Sequence, residues 1–441
     1  MYLSWILPYG LILGSVYLII ADLVQEEKRG TFNFIRLSPQ SAYRIFVGKI
    51  LGVPILVYVA TVLMLPLHLY LGCGAGGNIL FLGSWYLAIG SLWFLLASIA
   101  ALRVLLGGFQ ATLTVIAISY FLWMPIAAIN LFASLTLDRK SFGSTEYISW
   151  FWIPIASNAI LFNIFGAICL LVASYGVQQV LERRYLCPTA TLISKLQSYI
   201  TNLCGQVWIA GFAIPALTQN EPSLSIGVGL LAGIDFVSLL LLIPLLLPSK
   251  QALQDWSRYR RERVTHQSRQ FWQWELVQDL IHNDKSPALL ATAINIGIST
   301  IGWIPVITIS SLSNPIDGIK TLAAIALTAS LILIYSAIAH LGLLLNVKNR
   351  RLGIIALMGG VMLTPALTGL LSSYAPSALG SFLLLFSPFA LVGILQGTGV
   401  HIFAAFAAQL VILAALTRQL QRKLQISGRS QTKELITNNP I

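Results

Sequence analysis

Long apolar runs recur along the chain, broken by short polar or turn-forming stretches. They fall at residues 2–20, 50–71, 79–102, 108–131, 151–181, 203–217, 225–247, 288–309, 321–345, 353–371 and 402–416. A helix needs about 20 mainly apolar residues to cross a bilayer, and most of these runs reach that length. Backbone N–H and C=O groups in hydrocarbon must be satisfied within the segment, so each run reads as a helix. The pattern predicts an all-α polytopic membrane protein with about 11 transmembrane helices. The run at 151–181 is longer than one crossing; Pro154 and Asn158 are its expected breaks, with an interfacial or re-entrant start. The stretch 378–395, broken at Ser387-Pro388, is predicted as a re-entrant hairpin entered from the outer side.

The polar stretches carry the organisation. Residues 22–49 form a charged island that holds Glu26, Glu27, Lys28 and Arg29, then Gly30 and Thr31, then a short apolar segment from Phe32 to Leu37. Ser38-Pro39 is expected to open the next helix, with Ser38 as its cap and Pro39 at the first helical position. Thr31 is the expected cap of the short segment, and Gly30 is placed for a positive φ or a close backbone approach. Residues 185–202 read as a polar linker, and 248–286 are the most charged part of the chain. Within that part Phe271, Trp274, Val277 and Ile281 recur at spacings of three and four, giving an apolar stripe on a charged helix. Such a stripe suits either an interfacial helix lying on lipid or a docking surface for a partner. Ser286-Pro287 echoes Ser38-Pro39, and both charged regions follow an inward-going run. The division expected is a first transmembrane half at 1–184, a linker at 185–202, a second half at 203–417 and a basic tail at 418–441, the two halves being pseudo-repeats.

Composition fits this class: 57% of residues are hydrophobic, 10% are charged and the mean hydropathy is +0.81. The net charge of +12 is read as orientation in a membrane, not as nucleic-acid binding. With the N-terminus outside and the tail inside, 24 of the 27 Lys and Arg residues fall on the cytoplasmic side, leaving Arg139, Lys140 and Lys320 outside. Counting 378–395 as a full crossing would put the basic tail outside, which is why it is read as re-entrant. The first half is then one crossing shorter than the second, so either a segment precedes Tyr2 or the first half is short by design. The first run lacks a preceding Lys or Arg and a small-residue cleavage site, and is read as retained. Cys73, Cys169, Cys187 and Cys204 have no metal-ligand spacing, and only Cys73 falls in an expected outer loop.

The ordered set Glu27-Lys28-Arg29-Gly30-Thr31-Phe32, Ser38-Pro39 and Gly48-Lys49 resembles the first cytoplasmic loop of ABC type-2 exporter permeases. The resemblance covers about thirty residues of 441. It implies a permease subunit in the cell membrane, served by two copies of a separate ATP-binding subunit that dock on cytoplasmic coupling helices. Glu26, Glu27, Arg29, Gly30, Thr31, Phe32 and Ile35 would form one such contact, with Trp274, Val277 and Ile281 as the second. The family typically has six crossings per half and an elbow helix before the first, from which this chain departs at its start.

Chemistry in the chain itself is not expected. Gly48-Lys49 is followed by Ile50, and the residues before it are no Gly-rich cradle, so the phosphate-binding loop pattern fails. Neither HExxH nor a His/Cys cluster at zinc spacing occurs, and no cofactor is implied. Asp235 lies near the middle of its run, where a charge costs on the order of 3 kcal/mol on insertion scales. It is placed either on a substrate path or against a neighbouring helix. His340 lies in the inner part of its run, while His68, His401 and the eleven Trp residues are read mainly as interfacial. A secondary transporter or channel without an ATPase remains the alternative.

Overall fold

The structure, a computed structural model, describes residues 2–31, 34, 37, 39–74, 76, 78–106, 149–218, 222–264, 274–313, 315–344, 359–360, 382, 384–387, 394 and 399–427. The run at 108–131 and most of the run at 353–371 and of the 378–395 hairpin lie outside these residues, as do Phe32, Ile35, Phe271 and the tail beyond 427. Among the described residues there are twelve α-helices and no strand. Eight of these described helices are long and apolar enough to cross a membrane, so the chain is a multi-pass membrane protein. It divides into two compact units, Met1–Pro188 and Thr189–Ile441.

The first unit contains α1 (Tyr2–Arg29), α2 (Ala42–Gly52), α3 (Ile55–Gly74), α4 (Ile79–Leu105) and α5 (Ala159–Leu186). Helix α1 does not stop at the edge of its apolar run. Gln, Glu, Lys and Arg are good helix formers, and nothing breaks the helix before Gly30. The charged residues Glu26 to Arg29 are therefore its last turn, not a loop. The next helix opens at Ser41, whose side chain accepts from the Arg44 N–H, so Ser41 is the cap in place of Ser38. The expected single run at 50–71 is two helices, because Pro54 cannot donate the backbone hydrogen bond that would join α2 to α3. Pro154 and Asn158 break the long fifth run as expected: a short 3₁₀ turn spans Ile155–Ser157, and Asn158 caps α5 through the Ile160 N–H. Ile12, Val16, Ile19 and Leu23 line one face of α1 and pack on Leu92, Leu96, Ala97, Ala100 and Ala101 of α4, whose small side chains let the helices approach closely.

The second unit contains α6 (Lys195–Thr218), α7 (Pro222–Leu246), α8 (Lys250–Val264), α9 (Trp274–His282), α10 (Leu289–Ser313), α11 (Pro315–Leu343) and α12 (Gly399–Ser427). Residues 195–202, expected as linker, are the first turns of α6. Helix α12 likewise continues past its apolar part through Arg418, Arg422 and Lys423 to Ser427, because no Gly or Pro interrupts 400–427. Lys320, expected in an outer loop, lies within α11. The core is formed by Phe236, Leu239 and Ile243 of α7, Ala291 and Ile296 of α10, and Leu331, Ile332 and Tyr335 of α11.

Candidate functional site

The charged island builds a braced corner in the first unit. Asp22 and Glu26 are one turn apart on α1, so both carboxylates face the same way. Phe46 of α2 is buried edge-on against Tyr185 of α5, with ring centroids 5.2 Å apart, and this fixes the face that α2 turns inward. Lys49, three residues on, then reaches Asp22 at 2.8 Å and Glu26 at 2.6 Å. Burial lowers the Lys49 pKa, but the hydrogen bonds and negative charge of Asp22 and Glu26 outweigh it, and the net value lies above 10.5. Gly30 ends α1 with φ at +74°, and its N–H donates to the Glu27 carbonyl. A Cβ built there would meet nothing within 4 Å, so the need for glycine comes from the positive φ and not from a close approach. Thr31 donates its hydroxyl back to the Glu26 carbonyl and thus closes α1, in place of capping the next segment.

Next to this corner lies an open groove of about 870 Å³. Arg44, Ile45, Gly48 and Gly52 of α2 line it together with Phe34 and Leu37 of the connecting segment. Phe34 and Leu37 are 79% and 84% exposed. These two are the apolar side chains described in this segment, whereas the residues singled out from sequence, Phe32 and Ile35, lie outside the described residues. Glu27 and Arg29 are exposed at the end of α1.

The second charged region is fastened to its own unit. Helix α9 starts at Trp274, and Val277 and Ile281 are half-buried. Lys195, at the start of α6 and ahead of its apolar part, is 2% exposed. Its ammonium donates to the Leu280 carbonyl and the Ser286 hydroxyl at 2.6 Å each and to the Pro287 carbonyl at 3.4 Å. The Tyr199 hydroxyl donates to the Ile281 carbonyl at 3.1 Å. These donors satisfy the carbonyls that a helix C-terminus leaves bare, and a cation there opposes the helix dipole. Burial pulls the Lys195 pKa down to about 8, while Asp284 and Asp279 pull it up. Trp256 of α8 donates its indole N–H to the Asp279 carboxylate, which ties α8 to α9.

Asp235 sits at the centre of a buried polar seam. Ser198, Asn202 and Gln206 recur every fourth residue on α6, and Asn295, Ser299 and Trp303 do so on α10, giving two facing stripes. Asp235, 5% exposed on α7, accepts from Gln206 Nε2 at 2.6 Å, from Trp303 Nε1 at 2.8 Å and from the Ser299 hydroxyl. Asn202 donates to the Asn295 carbonyl at 2.7 Å, and the Asn295 side chain donates to Ser198 Oγ at 3.0 Å. Asp235 alone was expected to matter; its partners were missed, although their repeat of four is visible in the sequence.

Comparison with known proteins brings no neighbour to this arrangement. No family model, no curated protein and no solved structure matches the chain.

Proposed function

We propose that this chain is the membrane-embedded subunit of an ATP-driven exporter of the ABC type-2 kind, working with two copies of a separate ATP-binding subunit. ATP hydrolysis belongs to that partner, and the chain supplies docking surfaces and a path for the cargo. The observation that carries the reading is the groove beside the braced corner: the segment that resembles a coupling helix presents Phe34 and Leu37 outward, 79% and 84% exposed. Aromatic and aliphatic anchors of this kind dominate binding energy when a partner covers them. The ion pairs of Lys49 with Asp22 and Glu26 join α1 to α2, so a pull on the segment between them acts on both helices. Glu26, Glu27, Arg29, Gly30, Thr31, Phe32 and Ile35 make this first coupling contact, and Trp274, Val277 and Ile281 make the second. Coupling requires that the partner grips this surface differently in its two nucleotide states.

The arrangement proposed with it has eleven crossings in two homologous halves, a re-entrant hairpin at 378–395, the N-terminus outside the cell membrane and the C-terminus in the cytoplasm. The Ser257 and Ser427 hydroxyls lie 3.5 Å apart, which supports an even number of crossings between α8 and the end of α12. The buried seam around Asp235 favours the second reading, a secondary transporter without an ATPase.

The test is co-purification of an ATP-binding subunit with the chain from its native membrane, with ATP turnover measured on the complex. Phe34→Ala and Leu37→Ala are each expected to cost about 2 kcal/mol, roughly thirtyfold in Kd, without affecting membrane insertion. Phe32→Ala and Ile35→Ala test the neighbouring positions, and Gln25→Ala on exposed α1 surface is the control. Parent-like binding and turnover in all four would reduce the segment to a connector and remove the exporter reading.

A further inference from the structure

Asp235 has no positive partner among the described residues. Its three hydrogen-bond donors, from Gln206, Ser299 and Trp303, are all neutral. The next lysine or arginine along the α6 stripe is Lys195, eleven positions before Gln206, which is about 16 Å along the helix axis. Gln206, Ser299 and Trp303 together can present three donors to its two oxygens, a surround that suits a carboxylate. Neutral donors soften the cost of a carboxylate at that depth but bring no opposite charge to it.

Oxygen atoms gather around that charge. Asn202 Oδ1 and Asp235 Oδ1 accept from the same nitrogen, Gln206 Nε2, at 3.4 and 2.6 Å, so the Gln206 amide sits between these two oxygens. Asn295 Oδ1 is buried and makes no hydrogen bond, while its Nδ2 donates to Ser198 Oγ and the Ala291 carbonyl. Asn295 is one turn from Ser299 on the same face of α10, so this orphaned oxygen lies in the same seam between α6 and α10. A buried carbonyl oxygen without a donor costs free energy that a ligand can recover. Gly302 completes the arrangement. A Cβ there would stand 2.6 Å from Gln206 Oε1, so the amide rests on bare backbone. A cation would take the place of the Nε2 donor between Asp235 and Asn202, with the amide swung aside along Gly302 so that its Oε1 faces the ion.

We propose that this seam is a binding site for a small monovalent alkali cation, with Asp235 as the charged ligand and side-chain oxygens of Asn202, Gln206, Asn295 and Ser299 as neutral ligands. An all-oxygen set suits a hard cation, and one carboxylate balances one positive charge, where calcium sites commonly recruit several carboxylates. The site lies wholly within the second unit and stands whether or not the exporter reading holds.

The experiment is thermal unfolding of the purified full chain in detergent, in sodium, lithium, potassium or choline chloride at equal ionic strength and fixed pH. The parent is expected to gain about 5 °C, saturably, in one or more alkali salts over choline. Asp235→Asn is expected to abolish the gain. Gly302→Ala, which displaces the Gln206 amide, is expected to raise the half-saturating concentration about tenfold, and Asn295→Ala to do the same. Equal melting of the parent in all four salts overturns the proposal, as does a full gain in Asp235→Asn. If Asp235→Asn does not fold, an unaltered concentration dependence in both Gly302→Ala and Asn295→Ala overturns it.

Discussion

Replacing Lys195 with methionine tests whether a buried ammonium fastens the end of α9 to the start of α6. The side chain is 2% exposed and all three of its contacts are acceptors. Burial lowers its pKa to about 8 in the folded protein, whereas an unfolded lysine titrates near 10.4. Below about pH 8 both states hold the proton and the folded state carries the whole cost of a buried charge. Between about pH 8 and about pH 10.4 the unfolded chain still holds a proton that the folded chain has released, so stability rises with pH across that window. At 1.36 kcal/mol per pKa unit, this gain comes to about 3 kcal/mol. Methionine has no proton to release, so the variant lacks the gain. The assay is thermal unfolding of parent and Lys195→Met from about pH 7.5 to about pH 10, where groups that titrate in both proteins cancel in the difference. The parent is expected to pull ahead by most of that 3 kcal/mol, on the order of 5–10 °C for a unit of about 250 residues. Two parallel curves would refute the reasoning, because they would mean that Lys195 keeps its ordinary pKa and is not desolvated.

Lys49→Met leaves Asp22 and Glu26 facing each other, with Glu26 Oε2 already buried and without a donor, and is expected to cost about 2 kcal/mol in thermal unfolding. Adding Glu26→Gln should recover part of that loss, and strictly additive losses would mean that the pair does not interact. Since the folded Lys49 pKa is raised, the stability it contributes is complete below the unfolded value and fades only as the pH climbs through the folded one. Cysteines at Ser257 and Ser427 should form a disulfide on mild oxidation, and failure to cross-link would separate α8 from the end of α12. Cysteines at Ser41, Tyr259 and Gln425 should be shielded from an impermeant thiol reagent outside, and one at Ser144 labelled; labelling at Gln425 with Tyr259 shielded would remove the re-entrant reading of 378–395.

What was legible in the sequence follows from how local each signal is. Eight of the eleven apolar runs, the breaks at Pro154 and Asn158 and the positive φ of Gly30 each depend on a few adjacent residues, and these are found among the described residues. Helix ends beyond the apolar edge were misjudged, because polarity marks the end of the lipid-compatible segment and not the end of the helix: α1 and α12 continue through charged residues that favour helix. The division of the second run at Pro54 needed only proline chemistry, and was hidden by the apolar residues on both sides. Lys49 could not be paired with Asp22 and Glu26 from sequence, since that contact depends on how α2 folds back on α1. Lys195 in a polar stretch reads as solvated; that it is buried follows from α9 packing over it.

The two units also differ in what their polar contacts can be for. Helices in lipid gain little from burying apolar surface against one another, so close packing of small residues and interhelical hydrogen bonds hold them together. The first unit does this with neutral rungs: Asn163 donates to Ser84 Oγ at 3.3 Å and Gln178 to Ser98 Oγ at 2.8 Å between α5 and α4, and Trp93 donates to Ser15 Oγ at 2.7 Å between α4 and α1. Such rungs average about 0.6 kcal/mol each, which is enough for packing. The second unit has comparable neutral rungs, among them Asn202 to Asn295, and does not need a carboxylate to join α6 to α10. A charge at that depth costs on the order of 3 kcal/mol, more than several such rungs return. An asparagine at 235 would keep an oxygen for Gln206, Ser299 or Trp303 without that cost. The aspartate is the one residue of this seam that brings a charge, which is what the proposed cation site draws on.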